Sequence, residues 1–414
     1  MSKFRDIFKN RNFLLFWIGQ IISQFGDRLT QMALIAFVFQ RLGSSAFALA
    51  KVMSFTIIPS FVISPFAGAF VDRWDHKRTM IAADIIRAVL VVLIPLIFIR
   101  LETFIPTYIA IFLIFTASCF FLPSKLSIIP DLVDKEKLLI ANSLTNVTIM
   151  IAAVLGVGLG GPLIEAVGAK AGFYIDALTY ILSAGLLIFV GVDIKKIMPA
   201  QEGAEELGRK IEKSIFSDIW AGISYVLRQP YLRFIFFTIF MLMSAAGAIY
   251  IVGVVFIQRT FGTATRDLGF LSAFLGAGLF VGALICGRLG YKVPKVKIIF
   301  SSVLGSGVFI ALFALSLSFY PVVLLAGLIA VFIGFFVGPI FITGNTLIHE
   351  VIKPEMRGRI FSSLGIVMNF GFVIFMFVAS KLSEFFDPLF VILMISGLFV
   401  LYGIAGLLNF NIKR

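Results

Sequence analysis

The chain has 414 residues, 60% of them apolar and only 14% charged, with a mean hydropathy of +1.06 and a net charge of +13. Soluble domains carry about a quarter charged residues, so this balance excludes an ordinary soluble enzyme or binding module. The positive charge is not the footprint of a nucleic-acid binder, because it is spread over short segments between long apolar runs.

Twelve such runs follow in order: 13–39, 45–71, 79–99, 104–123, 139–164, 171–192, 232–257, 268–289, 297–317, 320–346, 360–382 and 388–410. About 20 mostly apolar residues cross a bilayer as a helix. A membrane barrel would alternate every second residue, and these runs are apolar all round. They predict an all-α integral membrane protein. Met1 to Asn12 reads as a charged lead into a full span and not as a cleavable signal peptide.

The first run carries Gln20, Gln24, Asp27 and Gln31. Steps of three and four put all of them on one helical face. Charge at membrane depth costs at least about 2.5–3.5 kcal/mol per residue, so this stripe should face a cavity, a ligand or another polar helix. Asp27 is expected either to carry a proton, neutral in one state and charged in another, or to pair permanently with a cation. Arg28 points about 100° away from it.

Gly68 to Arg78 forms a tight, strongly basic turn before the third run, with Asp72, Arg73, Lys77 and Arg78 in it. Asp84 and Arg87 then lie three apart on one face and are expected to pair with the charges of that turn. Asp131 and Glu136 mark the turn after the fourth run. The fifth run holds Asn142, Asn146 and the group Gly156, Gly160, Gly161 and Pro162, whose small residues permit close helix contact. Asp176 starts the sixth run near its outer end, either as a packing hydrogen bond to a neighbouring helix or as an outer, proton-coupling carboxylate.

The polar stretch Asp193 to Ser214 divides the chain into six runs and six runs. Ile215, Ile219, Ile223 and Leu227 then predict an amphipathic helix over 215–228, lying along the inner leaflet. The expected domains are 1–192, a linker of 193–230, and 231–414. The halves echo each other weakly: at an offset of 219, Asp131 meets Glu350, Glu136 meets Glu355 and Ser143 meets Ser362. Asn345 and Asn369 are further candidate cavity residues, or satisfy backbone groups. His349-Glu350 reads as a solvated turn with a local ion pair.

With the N-terminus inside, 26 of the 35 Lys and Arg fall in inner segments, Lys125, Lys135 and Lys137 after the fourth run among them, and 7 in outer ones. The bias predicts both termini in the cytoplasm. Cys119 and Cys286 sit in separate runs and are not expected to form a disulfide, and no residue cluster suggests a metal site or cofactor.

The order Gly68, three apolar residues, Asp72-Arg73, two residues and then basic residues resembles the signature loop between transmembrane helices 2 and 3 of the major facilitator superfamily. Gly26-Asp27, Ala83-Asp84-Ile85-Ile86-Arg87-Ala88, Pro130-Asp131-Leu132-Val133, Ala141-Asn142-Ser143, Ile175-Asp176-Ala177-Leu178 and Arg357-Gly358-Arg359-Ile360 are similar to its macrolide-efflux and siderophore-export branch, the third drug:proton antiporter group. The glycine group of the fifth run is similar to a motif linked to antiporters. The resemblance implies twelve transmembrane helices in two pseudo-symmetric six-helix bundles around a central cavity. It also implies an inner latch, in which Asp72 accepts amides at the helix starting near Ile360 and Arg359, Gly68 allows close approach, and Arg73, Lys77 and Arg78 reach Asp131 or Glu136.

There is no G-x-x-x-x-G-K-[ST] phosphate loop and no convergent catalytic constellation, so neither an ATP-driven pump nor an enzyme is expected. The few fixed charges and the 48 Phe favour a lipophilic or amphiphilic substrate over a sugar. The expected function is a proton-coupled exporter of such molecules, working by alternating access as a monomer in the inner membrane of a prokaryote. A lysophospholipid or lipid transporter of the same fold is the alternative.

Overall fold

The computed structural model describes residues 6–100, 104–191, 217, 220–352 and 356–409. A chain this apolar must satisfy its amides within each segment, which leaves the helix as the available element. The helices are α1 (Arg11–Leu42), α2 (Ala46–Val62), α3 (Ser64–Val71), α4 (His76–Arg100), α5 (Ile105–Leu132), α6 (Leu138–Val167), α7 (Ala169–Ile188), α8 (Pro230–Phe261), α9 (Arg266–Leu289), α10 (Lys295–Phe319), α11 (Val323–Val351), α12 (Arg357–Phe385) and α13 (Pro388–Asn409). No strand occurs among the described residues.

Ten of these helices are long and apolar enough to cross a membrane, and eleven if α2 and α3 form one bent span. That falls short of the twelve runs read from the sequence. Helix α1 is the one left out, because Gln20, Gln24, Asp27, Arg28 and Gln31 interrupt its apolar character.

Two elements differ from expectation. The run 45–71 bends by 48° between α2 and α3. Pro59 lies inside α2 and Pro65 at the start of α3. Each removes an amide donor and crowds the preceding turn. Helix α5, expected to end at 123, continues through Pro123 and Pro130 to Leu132. It therefore carries Lys125 into the span, and not into the inner loop to which the charge count assigned it. Glycine closes three of the helices where the chain needs positive φ: Gly43 (φ +63°) after α1, Gly168 (φ +86°) between α6 and α7, and Gly262 (φ +70°) after α8.

The chain forms two compact units, residues 1–37 with 52–216 and residues 38–51 with 217–414. In the first, Phe13 and Phe16 of α1, Met80 and Ala83 of α4, Phe121 and Ile128 of α5 and Leu187 of α7 share one apolar core. In the second, α9 and α11 pack closely through reciprocal glycines. A Cβ at Gly278 or Gly282 would strike the Val331 or Phe335 carbonyl, and one at Gly334 or Gly338 the Leu275 or Leu279 carbonyl. Small residues that bring backbones together are how helices associate where lipid and side chain are equally apolar. Large apolar side chains such as Leu159, Ile188, Phe280 and Leu398 stay exposed, as a lipid-facing surface requires.

The basic turn is built locally. Asp75 caps α4, its Oδ1 accepting the Arg78 amide at 2.7 Å. Lys77 Nζ donates to the carbonyls of Ile188 (2.9 Å) and Val190 (2.8 Å), closing the C-terminal end of α7. Lys77 thus serves carbonyl groups left free at a helix C-terminus, where a cation is favoured, and not the acids Asp131 or Glu136. A Cβ at Gly68 would meet nothing within 4 Å, so no close helix approach is made there. Asp72 and Arg73 are exposed. The Arg359 side chain and the polar stretch 193–214 lie outside the described residues, as do Ile215 and Ile219 of the expected amphipathic helix. Residues 220–228 are helical, with Leu227 exposed.

Candidate functional site

Four helices of the first unit bring side chains to one place, and three of them supply ionisable groups. Arg87 of α4 is the centre, with only 2% of its side chain exposed. Its Nη2 pairs with Asp84, one turn back on the same helix. Nη1 lies 3.6 Å from Asp27 Oδ1 on α1. The guanidinium plane is held between two rings, 4.3 Å from the centroid of Phe121 on α5 and 4.3 Å from that of Tyr180 on α7. Each such face is worth about 0.5–2 kcal/mol, more when desolvated. Tyr180 Oη donates to Asp27 Oδ1 at 2.5 Å. One carboxylate oxygen of Asp27 is therefore served by both a phenol and a guanidinium.

One turn outward, Asp176 is fully buried and accepts from Thr30 Oγ1 (2.5 Å) and Thr179 Oγ1 (3.0 Å). Gly26 makes this possible. A Cβ there would lie 1.9 Å from Thr179 Oγ1 and 2.2 Å from Asp176 Oδ1. The Gly26-Asp27 pair is thus a single device: the glycine admits α7, and the next residue presents a carboxylate to Tyr180. Of the two readings open for Asp176 in the sequence, the packing hydrogen bond to a neighbouring helix is the one whose geometry is present.

Asp84 and Arg87 do not turn toward the basic loop, as expected from their proximity to it. Both point into the core, where Asp27 and the aromatic rings offer Arg87 partners that an exposed turn cannot. Asp27 differs from the other two acids because 39% of its side chain remains accessible. It is the part of the cluster that water or a ligand can reach.

The rest of the α1 stripe divides. Gln31 accepts from Arg28 at 2.9 Å, so it serves its own helix. Gln20 is 1% exposed with neither amide atom hydrogen-bonded, and Gln24 Nε2 is likewise buried without a partner. Gly156 and Gly160 of α6 face Arg28 and Leu29 of α1, and a Cβ at Gly156 would lie 2.8 Å from Arg28 Cγ. Gly161 is buried beside them and Pro162 lies inside the helix. Asn142, Asn146 and Asn345 are exposed. Asn369 donates to the Gly365 carbonyl at 3.0 Å, the backbone-satisfying role. In the second unit, Glu350 pairs with Lys295, joining α11 to α10.

Sequence reasoning missed Tyr180, Thr30, Phe121 and Lys125, and Ser183, which lies fully buried on α7 one turn after Tyr180. A signal existed for two of them: Asp176, Tyr180 and Ser183 follow at steps of four and three and so share a face. No group of three His, Cys, Asp or Glu among the described residues is placed to hold a metal ion.

The sequence model for the Major Facilitator Superfamily matches residues 16–376, with a second match over 246–414. The chain belongs to the Major Facilitator Superfamily. This facilitator is a multi-pass membrane transporter and not an enzyme. It is 29% identical over 363 residues to the uncharacterized MFS-type transporter YkuC of Bacillus subtilis, covering 86% of this chain and 81% of that one. It is 24% identical over 374 residues to macrolide efflux protein A of Streptococcus pyogenes, covering 86% and 85%. The solved structure of the nucleoside transporter NupG superposes with a TM-score of 0.72 at 15% identity, over 97% of this chain and 100% of that one. At that identity the likeness concerns the fold alone.

Proposed function

We propose that this facilitator is a proton-coupled exporter of lipophilic or amphiphilic small molecules. The observation that carries the reading is Asp27: it is accessible on one side and held by Tyr180 and Arg87 on the other. Deprotonated, it shares Arg87 with Asp84. Protonated, it releases Arg87 to Asp84 alone, and the contact between α1 and α4 weakens. A proton thus changes how two helices of one unit are tied, which is what an alternating-access cycle requires. The export direction draws on the macrolide efflux relative.

The same reading includes several further proposals. The chain is organised as an N-terminal six-helix bundle of 1–192, a linker of 193–230 and a C-terminal bundle of 231–414. It sits as a monomer in the inner membrane of a prokaryote with both termini in the cytoplasm. Gly68, Asp72, Arg73, Lys77, Arg78, Asp131, Glu136 and Arg359 act as an inner latch whose contacts change between states.

Proteoliposomes with an imposed pH gradient test the reading, using a panel of lipophilic dyes, a macrolide and a labelled lysolipid. Gradient-driven movement of dye or macrolide that is lost in Asp27→Asn is the expected result. Gradient-driven transport that survives in Asp27→Asn removes the coupling role. Lysolipid movement with no need for the gradient favours the lipid-transporter alternative.

A further inference from the structure

Lys125 is the charge that the coupling cluster leaves unused. It lies inside α5 with 4% of its surface exposed, and it makes no hydrogen bond or ion pair with any described residue. A buried ammonium without a partner is strongly disfavoured and persists where something else compensates it. Two charges act on it across space: Asp27 attracts it and Arg87 repels it. Asp27, however, is already engaged by Tyr180 and Arg87. Asp84 is engaged by Arg87, and Asp176 by two threonine hydroxyls.

The surroundings add donors and not acids. Phe121 and Ile128 stand one turn to either side of Lys125, and both belong to the core that contains Phe13 and Phe16. Gln20 follows Phe16 by one turn of α1, and Gln24 by two. Neither Gln20 Nε2 nor Gln24 Nε2 has an acceptor. The Lys125 ammonium and the Nε2 groups of Gln20 and Gln24 therefore have no acceptor among the described residues, and Gln20 Oε1 is likewise unpartnered. Each acid of the cluster has a partner on at least one oxygen, and Lys125 is the charged group left without one.

The geometry points to Lys125, with the Gln20 and Gln24 amides, as the docking site for the anionic head group, carboxylate or phosphate, of an amphiphilic substrate. This assignment rests on the exporter reading and narrows its substrate class. It also ties the substrate to the proton. An anion on Lys125 competes with the Asp27 carboxylate for the same neighbouring cations, so a charged substrate and a deprotonated Asp27 disfavour each other.

Equilibrium binding to the purified full-length protein in detergent tests the site, with laurate, methyl laurate, dodecylamine and a lauroyl lysophosphatidate as probes. A charge-assisted hydrogen bond in a buried site predicts that the wild type binds laurate or the lysophosphatidate about 10- to 100-fold more tightly than the ester. Stronger binding of laurate assigns small carboxylates, and stronger binding of the lysophosphatidate assigns a lipid head group; both support the site. Lys125→Gln is expected to bring the anion and the ester to within about twofold, and Lys125→Arg to keep the preference. A wild type that binds the ester or amine as tightly as both anions overturns the proposal, and that comparison needs no variant to fold. So does a Lys125→Gln protein that keeps the anion preference. Gradient-driven dye efflux, measured on the same wild-type preparation, separates the two readings. Efflux without anion preference removes the docking site and leaves the exporter. Anion preference without efflux removes the coupling and leaves the site.

Discussion

Replacing Arg87 by methionine strands a carboxylate. Asp84 has no exposed surface, and its charged partner among the described residues is the Arg87 guanidinium. Breaking a buried pair by removing one member costs about 3–5 kcal/mol, because the remaining charge is uncompensated. Loss of two ring faces adds to this, partly offset because methionine keeps apolar contact with Phe121 and Tyr180. Asp84→Leu alone should cost less, since Asp27 stays 3.6 Å from the guanidinium. The double variant Arg87→Met with Asp84→Leu removes both charges and should recover most of the loss, within about 1–2 kcal/mol of wild type. Unfolding of the four proteins in mixed micelles, followed by near-ultraviolet circular dichroism, gives the cycle. A single-variant cost below about 1 kcal/mol, or a double variant equal to the sum of the singles, would refute the reasoning.

Gly26→Ala should destabilise the first unit by about 1–3 kcal/mol, because a Cβ 1.9 Å from Thr179 Oγ1 forces α1 and α7 apart. Gly156→Ala would bring a Cβ to 2.8 Å from Arg28 Cγ and 2.9 Å from Arg28 Cβ, a milder overlap than the 1.9 Å at Gly26 but one close to the backbone of α1, and should cost less than Gly26→Ala; the same unfolding assay ranks the two, and a reversed order counts against the contact. Lys77→Met loses two hydrogen bonds to the Ile188 and Val190 carbonyls and should lower stability by about 1–2 kcal/mol, with Lys77→Arg retaining part of it. If Lys77→Met instead unfolds like wild type, the closure of α7 does not depend on it. Asp27→Asn should fold normally, since an amide still accepts from Tyr180, while gradient-driven transport is lost.

Most of the membrane architecture was legible in the chain itself. Burial in lipid demands internally bonded backbone, so a long apolar run can only be a helix, and its limits are set by polar turns such as Gly68 to Arg78. The polar stripe of α1 was equally plain, because a charge at membrane depth needs a reason. Where the reading went astray, a side chain's destination depended on a second helix. Asp84 and Arg87 are close in sequence to a basic turn, yet they point to Asp27, Phe121 and Tyr180, which lie on three other helices. Lys125 looked like a loop cation because the fourth apolar run ends at 123; the helix α5 instead runs on through Pro123 and Pro130 to Leu132.

The sequence determined by itself that this is a helical membrane protein of the facilitator family and that Asp27 stands out in its first helix, because hydropathy and helical periodicity are properties of a single segment. Only the tertiary structure decided which charges neutralise one another. Pairing depends on distances between helices, and those are fixed by contacts such as Gly26 against Thr179 that leave no mark in the periodicity of either strip of chain.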